Sequence, residues 1–424
     1  MSAPDVLAPE VRERLEDIGR ADIVIGIPSY QNASTIGHVV RAAQAGLAKY
    51  FPSAHAVIVN SDGGSTDGTP EIVAGTSGTD TLLVLVSQPV RPVHRFTIPY
   101  HGLPGKGSAF RTIFRAADAL GAKACAVVDS DLRSITPEWI QLLLAPVMNE
   151  THDYVAPYYL RHKFDGTITN NVVYPLTRAL YGKRIRQPIG GEFGMSLPLV
   201  RHYLQQPMWE TDVARFGIDI WMTTEAVCGD FRVCQAFLGA KLHNAKDPGA
   251  DLSAMLVQVL GTVFRLMDTH EARWQPVGAT EAVPIVGFQY DVGLDPIRVD
   301  VRRMIDHFQR GVRDLAGIWG SMFTRDDLAR LRKAAAGDGH SVEIGDELWV
   351  RLVYDLAAAY RNRVSDRDAL VRSTLPLYMG RVASFVIEMA EADAAEVETR
   401  LERLCLAFEA QKDHLRRRWA SGRG

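Results

Sequence analysis

An α/β fold followed by an all-helical C-terminal region is what this sequence predicts, and three observations carry the prediction. Short apolar runs alternate with helical stretches from about residue 22 to residue 135. Three of the runs open into loops built from Gly, Ser, Pro and Asp. Beyond about residue 290 the pattern changes to long stretches of helical period. Strands alternating with helices assemble into a mostly parallel sheet with helices on both faces, and such sheets bind ligands at the carboxyl ends of their strands.

Residues 1–20 read as a short amphipathic helix. "DIVIGIPSY" (22–30) is a β-rich run ending in a proline loop, and "STIGHVVRAAQAGLAKY" (34–50) has helical period behind a Ser/Thr start suited to an N-cap. "HAVIVNSDGGSTDGT" repeats the strand-then-loop pattern, "PEIVAGT" resumes a helix, and "TLLVLVSQ" (81–88) reads as a third strand. "GSAFRTIFRAADALGA" is a helix and "KACAVVDSD" a fourth strand. From about Tyr154 to Lys246 polar loops rich in Gly, Tyr and Arg break the regularity. The expected organisation is therefore a helix over 1–20, an α/β domain over 21–285 with halves 21–135 and 136–285, and a helical region over 286–424. In that region "STLPLYMGRVASFV" (373–386) belongs to the core or a subunit interface, and the basic end "DHLRRRWASGRG" reads as a solvated tail.

Composition narrows the class. With 47 Lys and Arg against 50 Asp and Glu the net charge is −3, which argues against a broad electrostatic surface for nucleic acid. No run approaches the roughly 20 apolar residues of a membrane span. Cys125, Cys228, Cys234 and Cys405 lack the spacing of a zinc site or disulfide frame and read as free thiols of a reducing compartment. A soluble cytoplasmic protein is expected.

The chemistry gathers at strand ends. Asp129 and Asp131 flank Ser130 where the fourth strand stops. On an extended backbone residues i and i+2 project to one side, so these carboxylates would repel unless a cation intervenes. A hard divalent ion, Mg²⁺ or Mn²⁺, prefers such oxygen ligands and fills its remaining positions with water and substrate phosphates. In "DGGSTDGT", Asp62 and Gly63 form a turn of small residues that a ligand can approach closely, with the Asp62 carboxylate free to accept hydrogen bonds from a ribose or base. Lys106, between two glycines in "LPGKGSAF", stands at a helix start where a phosphate or sugar hydroxyls would be held. The Walker A spacing is missing.

In this order, strand-PSYQN, strand-DGGSTD, PGKG and strand-DSD resemble the GT-A glycosyltransferases, which use nucleotide-sugar donors. "RQPIGGEFGMS", "RFGIDIW" and "KLHNAKDPGADLSAMLVQVL" extend the resemblance to the glucosyl-3-phosphoglycerate and glucosylglycerate synthases, over roughly residues 22–265. The resemblance implies a retaining hexosyltransferase with a metal held by Asp129, Asp131 and His243. It further implies donor contacts from Pro28, Ser29, Tyr30, Gln31, Asn32, Asp62, Gly63, Lys106, Ser130, Gly190, Gly191 and Lys241, the last where arginine is usual. Glu192 and Asp219 would serve beside Asp131 in catalysis, Asp219 standing where the family has a glutamate. Residues 21–135 become the nucleotide-binding half and 136–285 the acceptor-binding half, with Gly166, Thr167, Thr169 and Asn170 at the acceptor.

Thr167 occupies a position where the family has arginine. Either the acceptor is unphosphorylated glycerate, or phosphate recognition moves to Arg161, His162 or Lys163, or the alignment slips by one residue. The expected reaction carries a glucosyl or mannosyl unit from a UDP- or GDP-hexose to glycerate or 3-phosphoglycerate, giving a glucosylglycerate-type compatible solute or its precursor, with a homodimer expected. Competing readings are a GT-A enzyme with a lipid phosphate or sugar acceptor, a nucleotidyltransferase, and a silent nucleotide-sugar-binding scaffold.

Overall fold

Apolar runs that precede a polar loop form strands. The computed structural model describes residues 7–76, 94–99, 105–242, 253–294, 297, 299–337 and 339–421. In chain order the first half holds α1 (Pro9–Ile18), β1 (Ile23–Ser29), α2 (Ile36–Tyr50), β2 (Ala56–Asp62), α3 (Thr69–Gly75), β3 (His94–Pro99), α4 (Lys106–Ala119), β4 (Ala124–Val127), α5 (Pro137–Met148), β5 (Tyr154–Leu160), α6 (Tyr174–Tyr181) and β6 (Lys183–Arg184). Then come β7 (Phe193–Ser196), α7 (Leu197–Gln205), α8 (Ile218–Cys228), β8 (Val233–Ala240), α9 (Ser253–Thr269), α10 (Glu271–Trp274), β9 (Glu281–Ala282) and β10 (Ile285–Val286). The C-terminal helices are α11 (Val301–Asp314), α12 (Ala316–Trp319), α13 (Arg325–Ala335), α14 (Asp346–Arg361), α15 (Arg367–Glu388), α16 (Ala394–Ala410) and α17 (Lys412–Ala420).

Two compact units result. The first comprises Met1–Leu160, Arg186–Asn244 and Val283–Gly293; the second comprises Arg161–Ile185, Ala245–Ala282 and Leu294–Gly424. This differs from the expected cuts at 20, 135 and 285, because α6 packs on α16 and α9 packs on α15 and α14. Segments that read as the acceptor half of the α/β domain thus belong with the C-terminal helices.

The first unit is the α/β fold expected: an eight-stranded, mostly parallel sheet in the order β10-β8-β5-β7-β4-β1-β2-β3. Only β7 runs against both its neighbours, β4 and β5. β1 and β2 are buried along their whole length, as strands covered on both faces must be. Close helix packing needs small residues here: a Cβ on Gly26 would meet Ile113 of α4 at 2.3 Å, and one on Gly46 would meet Ile140 of α5 at 2.6 Å. "TLLVLVSQ" lies outside the described residues. The third described strand is β3, paired in register with β2 from Val57↔His94 to Asp62↔Pro99.

The second unit is helical apart from the small β6–β9 pair. Helices α11 and α15 cross closely because Gly311 faces Pro376, 2.2 Å from where a Cβ would sit, and Gly380 faces Phe308 in the same way at 2.6 Å. Segment 373–386 is accordingly buried in α15, as a core segment. The basic end is corrected: it is helix α17, not a solvated tail. Leu415 and Trp419, one turn apart, are buried, and Arg418 donates to Asp355 at 2.8 Å and to the Met322 carbonyl at 2.6 Å. Among the described residues no helix is long and apolar enough to cross a membrane.

Candidate active site

Register brings the predicted loops of the first unit to one sheet edge. Ser29 ends β1 opposite Asp62, the last residue of β2, and Gly26 pairs with Val127, the last residue of β4. Because β7 is antiparallel, the edge where β4 ends is where β7 begins, with Phe193 opposite Val127. Glu192, Gly191 and Gly190 therefore arrive beside Asp129. Lys241 follows the end of β8, which runs parallel to β5.

Asp129 sits between two ammonium groups. Lys106 Nζ lies 2.8 Å from its Oδ1 and Lys241 Nζ 3.0 Å from its Oδ2. Lys106 also reaches Asp219 Oδ2 at 3.1 Å. Lys241 reaches both oxygens of Glu192, at 2.7 and 3.0 Å, and the Gly190 carbonyl at 2.7 Å. Tyr159 donates to the Gly190 carbonyl and lies 3.0 Å from Glu192 Oε2. Burial works against a charged Asp129, but the two lysines overcome it and hold the carboxyl far below the usual range. Burial raises the Asp219 carboxyl, with Lys106 opposing, and Asp219 Oδ1 is buried with no hydrogen-bond partner among the described residues.

The expected crowding of Asp129 against Asp131 is corrected. The strand stops at Val127 and the chain turns at Ser130 and Asp131, so the extended i, i+2 geometry is absent. Asp129 turns to the lysines, while the half-buried Asp131 carboxylate makes no hydrogen bond among the described residues. Fit to a hard divalent cation is consequently partial. Asp131 offers a carboxylate of the right chemistry, both oxygens of Asp129 are occupied by ammoniums, and His243 lies outside the described residues. Among the described residues no three His, Cys, Asp or Glu side chains converge as a metal site.

The glycines of "IGGE" are explained by contact. A Cβ on Gly191, whose φ is +103°, would sit 2.3 Å from Asp129 Oδ2, and one on Gly190 would sit 2.1 Å from Pro157. Those of "PGKG" serve packing rather than a phosphate cradle: added Cβ atoms would meet the Ala214 carbonyl at 2.5 Å from Gly105 and the Val213 carbonyl at 1.8 Å from Gly107.

Asp62 also departs from expectation. Oδ1 accepts from the Ser29 and Ser65 hydroxyls, both at 2.7 Å, and Oδ2 from the Gly64 and Ser65 amides at 2.9 and 2.7 Å. Four bonds fill a carboxylate's acceptor sites, so Asp62 holds the turn of Gly63 rather than standing free for a ligand. The loop after β1 is clasped to this turn. The Gln31 amide donates to Ser65 Oγ at 2.8 Å, the Asn32 amide donates to Thr69 Oγ1 at 2.9 Å, and Asn32 Oδ1 accepts from Ser130 Oγ at 2.8 Å. Pro28 is buried within β1, and Tyr30 is left 61% exposed, its ring open to a flat ligand.

The residues expected at the acceptor fall in the second unit. Gly166 takes a φ of +65° and starts a wide helical turn over Thr169–Val173. Thr167 is fully buried with its hydroxyl 2.6 Å from Tyr378 Oη, so its side chain is a core group, and Thr169 and Asn170 are buried beside it. Lys163 donates to the carbonyls of Ala390 and Ala392 at 2.6 and 2.9 Å. Arg161 lies 3.7 Å from Asp165.

Two positions that hold the strand-end residues in place were not singled out from the sequence. Asn60 donates to the Ile27 carbonyl and to Ser29 Oγ, aiming the serine at Asp62; a polar residue inside the apolar run "AVIVNSD" was its visible signal. Tyr159, partner of Glu192, carries no such signal.

Glu192 gives a pH prediction. Full burial pushes its carboxyl up to about 7, with Lys241 opposing. Between the ordinary value of 4.5 and about 7 the folded protein holds a proton that the unfolded chain has lost. Stability from this group is therefore complete below the lower value and is lost as pH rises through the upper one. Melting temperatures of Glu192→Gln between pH 5 and 8 should lack that decline; an identical slope in both proteins would remove Glu192 as its source.

No protein-family model matches the chain, and no curated protein does. Among solved structures, the chain is similar to glucosyl-3-phosphoglycerate synthase from Mycobacterium tuberculosis in complex with Mg²⁺ and UDP, at 22% identity and a TM-score of 0.44, covering 60% of this chain and 83% of the other. It is also similar to that synthase in complex with Mn²⁺, UDP-glucose and phosphoglyceric acid, at 20% identity and a TM-score of 0.44, covering 63% of this chain and 86% of the other.

Proposed function

We propose that this chain is a retaining hexosyltransferase that moves a glucosyl or mannosyl unit from a nucleotide-sugar donor to a glycerate-type acceptor. One observation carries the reading: two ammonium groups, Lys106 and Lys241, converge on Asp129, two residues before Asp131, whose carboxylate makes no hydrogen bond among the described residues, at the strand ends where sheets of this class bind ligands. Such a cluster suits a diphosphate that enters and takes the ammoniums from Asp129.

In this proposal the clasped loops of Tyr30 and Gly63 receive the nucleoside, with the exposed Tyr30 ring against the base. Lys106 and Lys241 neutralise the diphosphate as its bond to the sugar breaks. A divalent cation held by Asp131 would, when bound, supply further neutralisation of that leaving charge. Asp219 Oδ1, buried and unpartnered, would accept a sugar hydroxyl. Glu192 is locked by Lys241 and Tyr159, which suits a positioning role better than covalent attack. The acceptor hydroxyl would then attack from the face the nucleotide leaves, passing its proton to the departing phosphate oxygen.

Free glycerate is the acceptor favoured. Of the candidate phosphate partners, the Lys163 ammonium is spent on two carbonyls, and burial together with neighbouring Lys163 keeps His162 below its ordinary value. Segment 166–170 is retained as the proposed acceptor segment, with Thr167 acting through packing. Turnover of UDP- and GDP-hexoses with D-glycerate and with 3-phosphoglycerate, products identified by NMR, tests both levels. Faster transfer to D-glycerate with retained anomeric configuration is expected. Preference for the phosphorylated acid would overturn the acceptor assignment, and absence of any hexosyl transfer would overturn the enzyme assignment.

A further inference from the structure

The first unit carries an arginine-lined cleft, built on other residues than the strand-end cluster. An open cavity of about 710 Å³ is lined by Arg111 and Arg115 of α4, Arg201 and Leu204 of α7, and Trp209. We propose that it is a binding site for a small phosphate-bearing anion.

The charges in the cleft are unequally matched. Arg201 Nε donates to Asp118 Oδ1 at 2.7 Å, so that pair is self-contained. Arg111 and Arg115 stand one helical turn apart on the same face, where like charges repel. Neither makes a hydrogen bond or ion pair with a described residue, and Arg111 Nε is buried with no acceptor. Glu210, on the cleft wall, attracts Arg111 without bonding it. Burial first, and Arg115 second, lower the Arg111 guanidinium from its ordinary value. Arg111 Cζ lies 5.8 Å from the centroid of the Trp209 ring, within reach of a cation–π contact.

Arg111 is half-buried, and its buried Nε without an acceptor costs free energy that folding alone does not return. An oxyanion would supply the missing acceptors, relieve the repulsion, and suit the bidentate geometry of arginine. Phosphate fits two adjacent forks better than a single carboxylate does. The cleft exceeds a bare phosphate in size, and Leu204 and Trp209 offer an apolar wall to an organic tail.

Calorimetry on the full chain at matched ionic strength tests this with inorganic phosphate and with phenyl phosphate. Wild type should bind, and Arg111→Met/Arg115→Met should bind at least about tenfold more weakly, the loss of one charge-assisted contact. Lys106→Met, which alters the strand-end cluster, should keep this binding. Tighter binding of phenyl phosphate would identify a phosphate ester as the natural occupant, and equal binding would identify free phosphate; either supports the site. Unchanged binding in the double variant, loss confined to Lys106→Met, or no binding by wild type would overturn it. Without phosphate, Arg111→Met should melt no lower than wild type, and Arg115→Gln serves if the double variant does not fold. A lowered melting point in Arg111→Met would make that arginine structural and end the proposal.

Discussion

Asp131→Ala is expected to cut hexosyl transfer by about 100- to 1,000-fold, the scale on which removing one preorganised electrostatic group acts. Folding should scarcely change. The carboxylate makes no hydrogen bond among the described residues and lies in a turn, and such substitutions usually stay within about 0.5 kcal/mol. Initial rates with saturating donor, read beside the melting temperature, check both halves of the expectation. Near-normal rates would remove Asp131 from the mechanism. A large fall in melting temperature would show that its role is in the fold.

Lys241→Met should do the reverse and damage both stability and activity. Its side chain is 4% exposed, and its ammonium holds Asp129, Glu192 and the Gly190 carbonyl together. Removing one partner of a buried ion pair typically costs about 3–5 kcal/mol, because the remaining charge is left uncompensated. Part of that cost is offset here, since Glu192 already titrates near neutrality and can take up a proton. The variant should therefore be more stable at pH 6 than at pH 8, relative to wild type at each pH. Lys241→Arg keeps the charge but needs more room, and should recover part of the stability with less of the activity. Equal stability of Lys241→Met and wild type at pH 8 would contradict the pairing.

What could be read from the sequence was local. Loops after β1, β2 and β4 announced themselves because Pro, Gly, Ser and Asp end strands for reasons contained within a few residues. Asp129 and Lys106 were found for the same reason. The way Lys241 joins Asp129 to Glu192 was not visible, since it depends on the reversed direction of β7 and on the late strand β8, both fixed by contacts distant in sequence. The idea of two repelling carboxylates failed for a related reason. It assumed an extended backbone through Asp131, whereas the strand stops at Val127. Asp62 read as a free acceptor because its four donors come from Ser29 on another strand and from the folding of its own turn. The assignment of 161–185 to the α/β domain failed because α6 finds its partner in α16, more than 200 residues later, through Arg178 and its bonds to Glu402 and Glu409. Leu415 and Trp419 lay in plain view inside a basic run, and charge obscured their spacing.

The inverted course of β7 makes the protein unequally tolerant of length changes. Side chains alternate along a strand, so one residue added just before Phe193 would turn Glu192 away from Lys241 and break that ion pair. The same addition after Ser196 falls on the far rim of the sheet, where α7 begins, and spares the cluster. Natural variation in loop length should for that reason accumulate behind β7 and be scarce ahead of it.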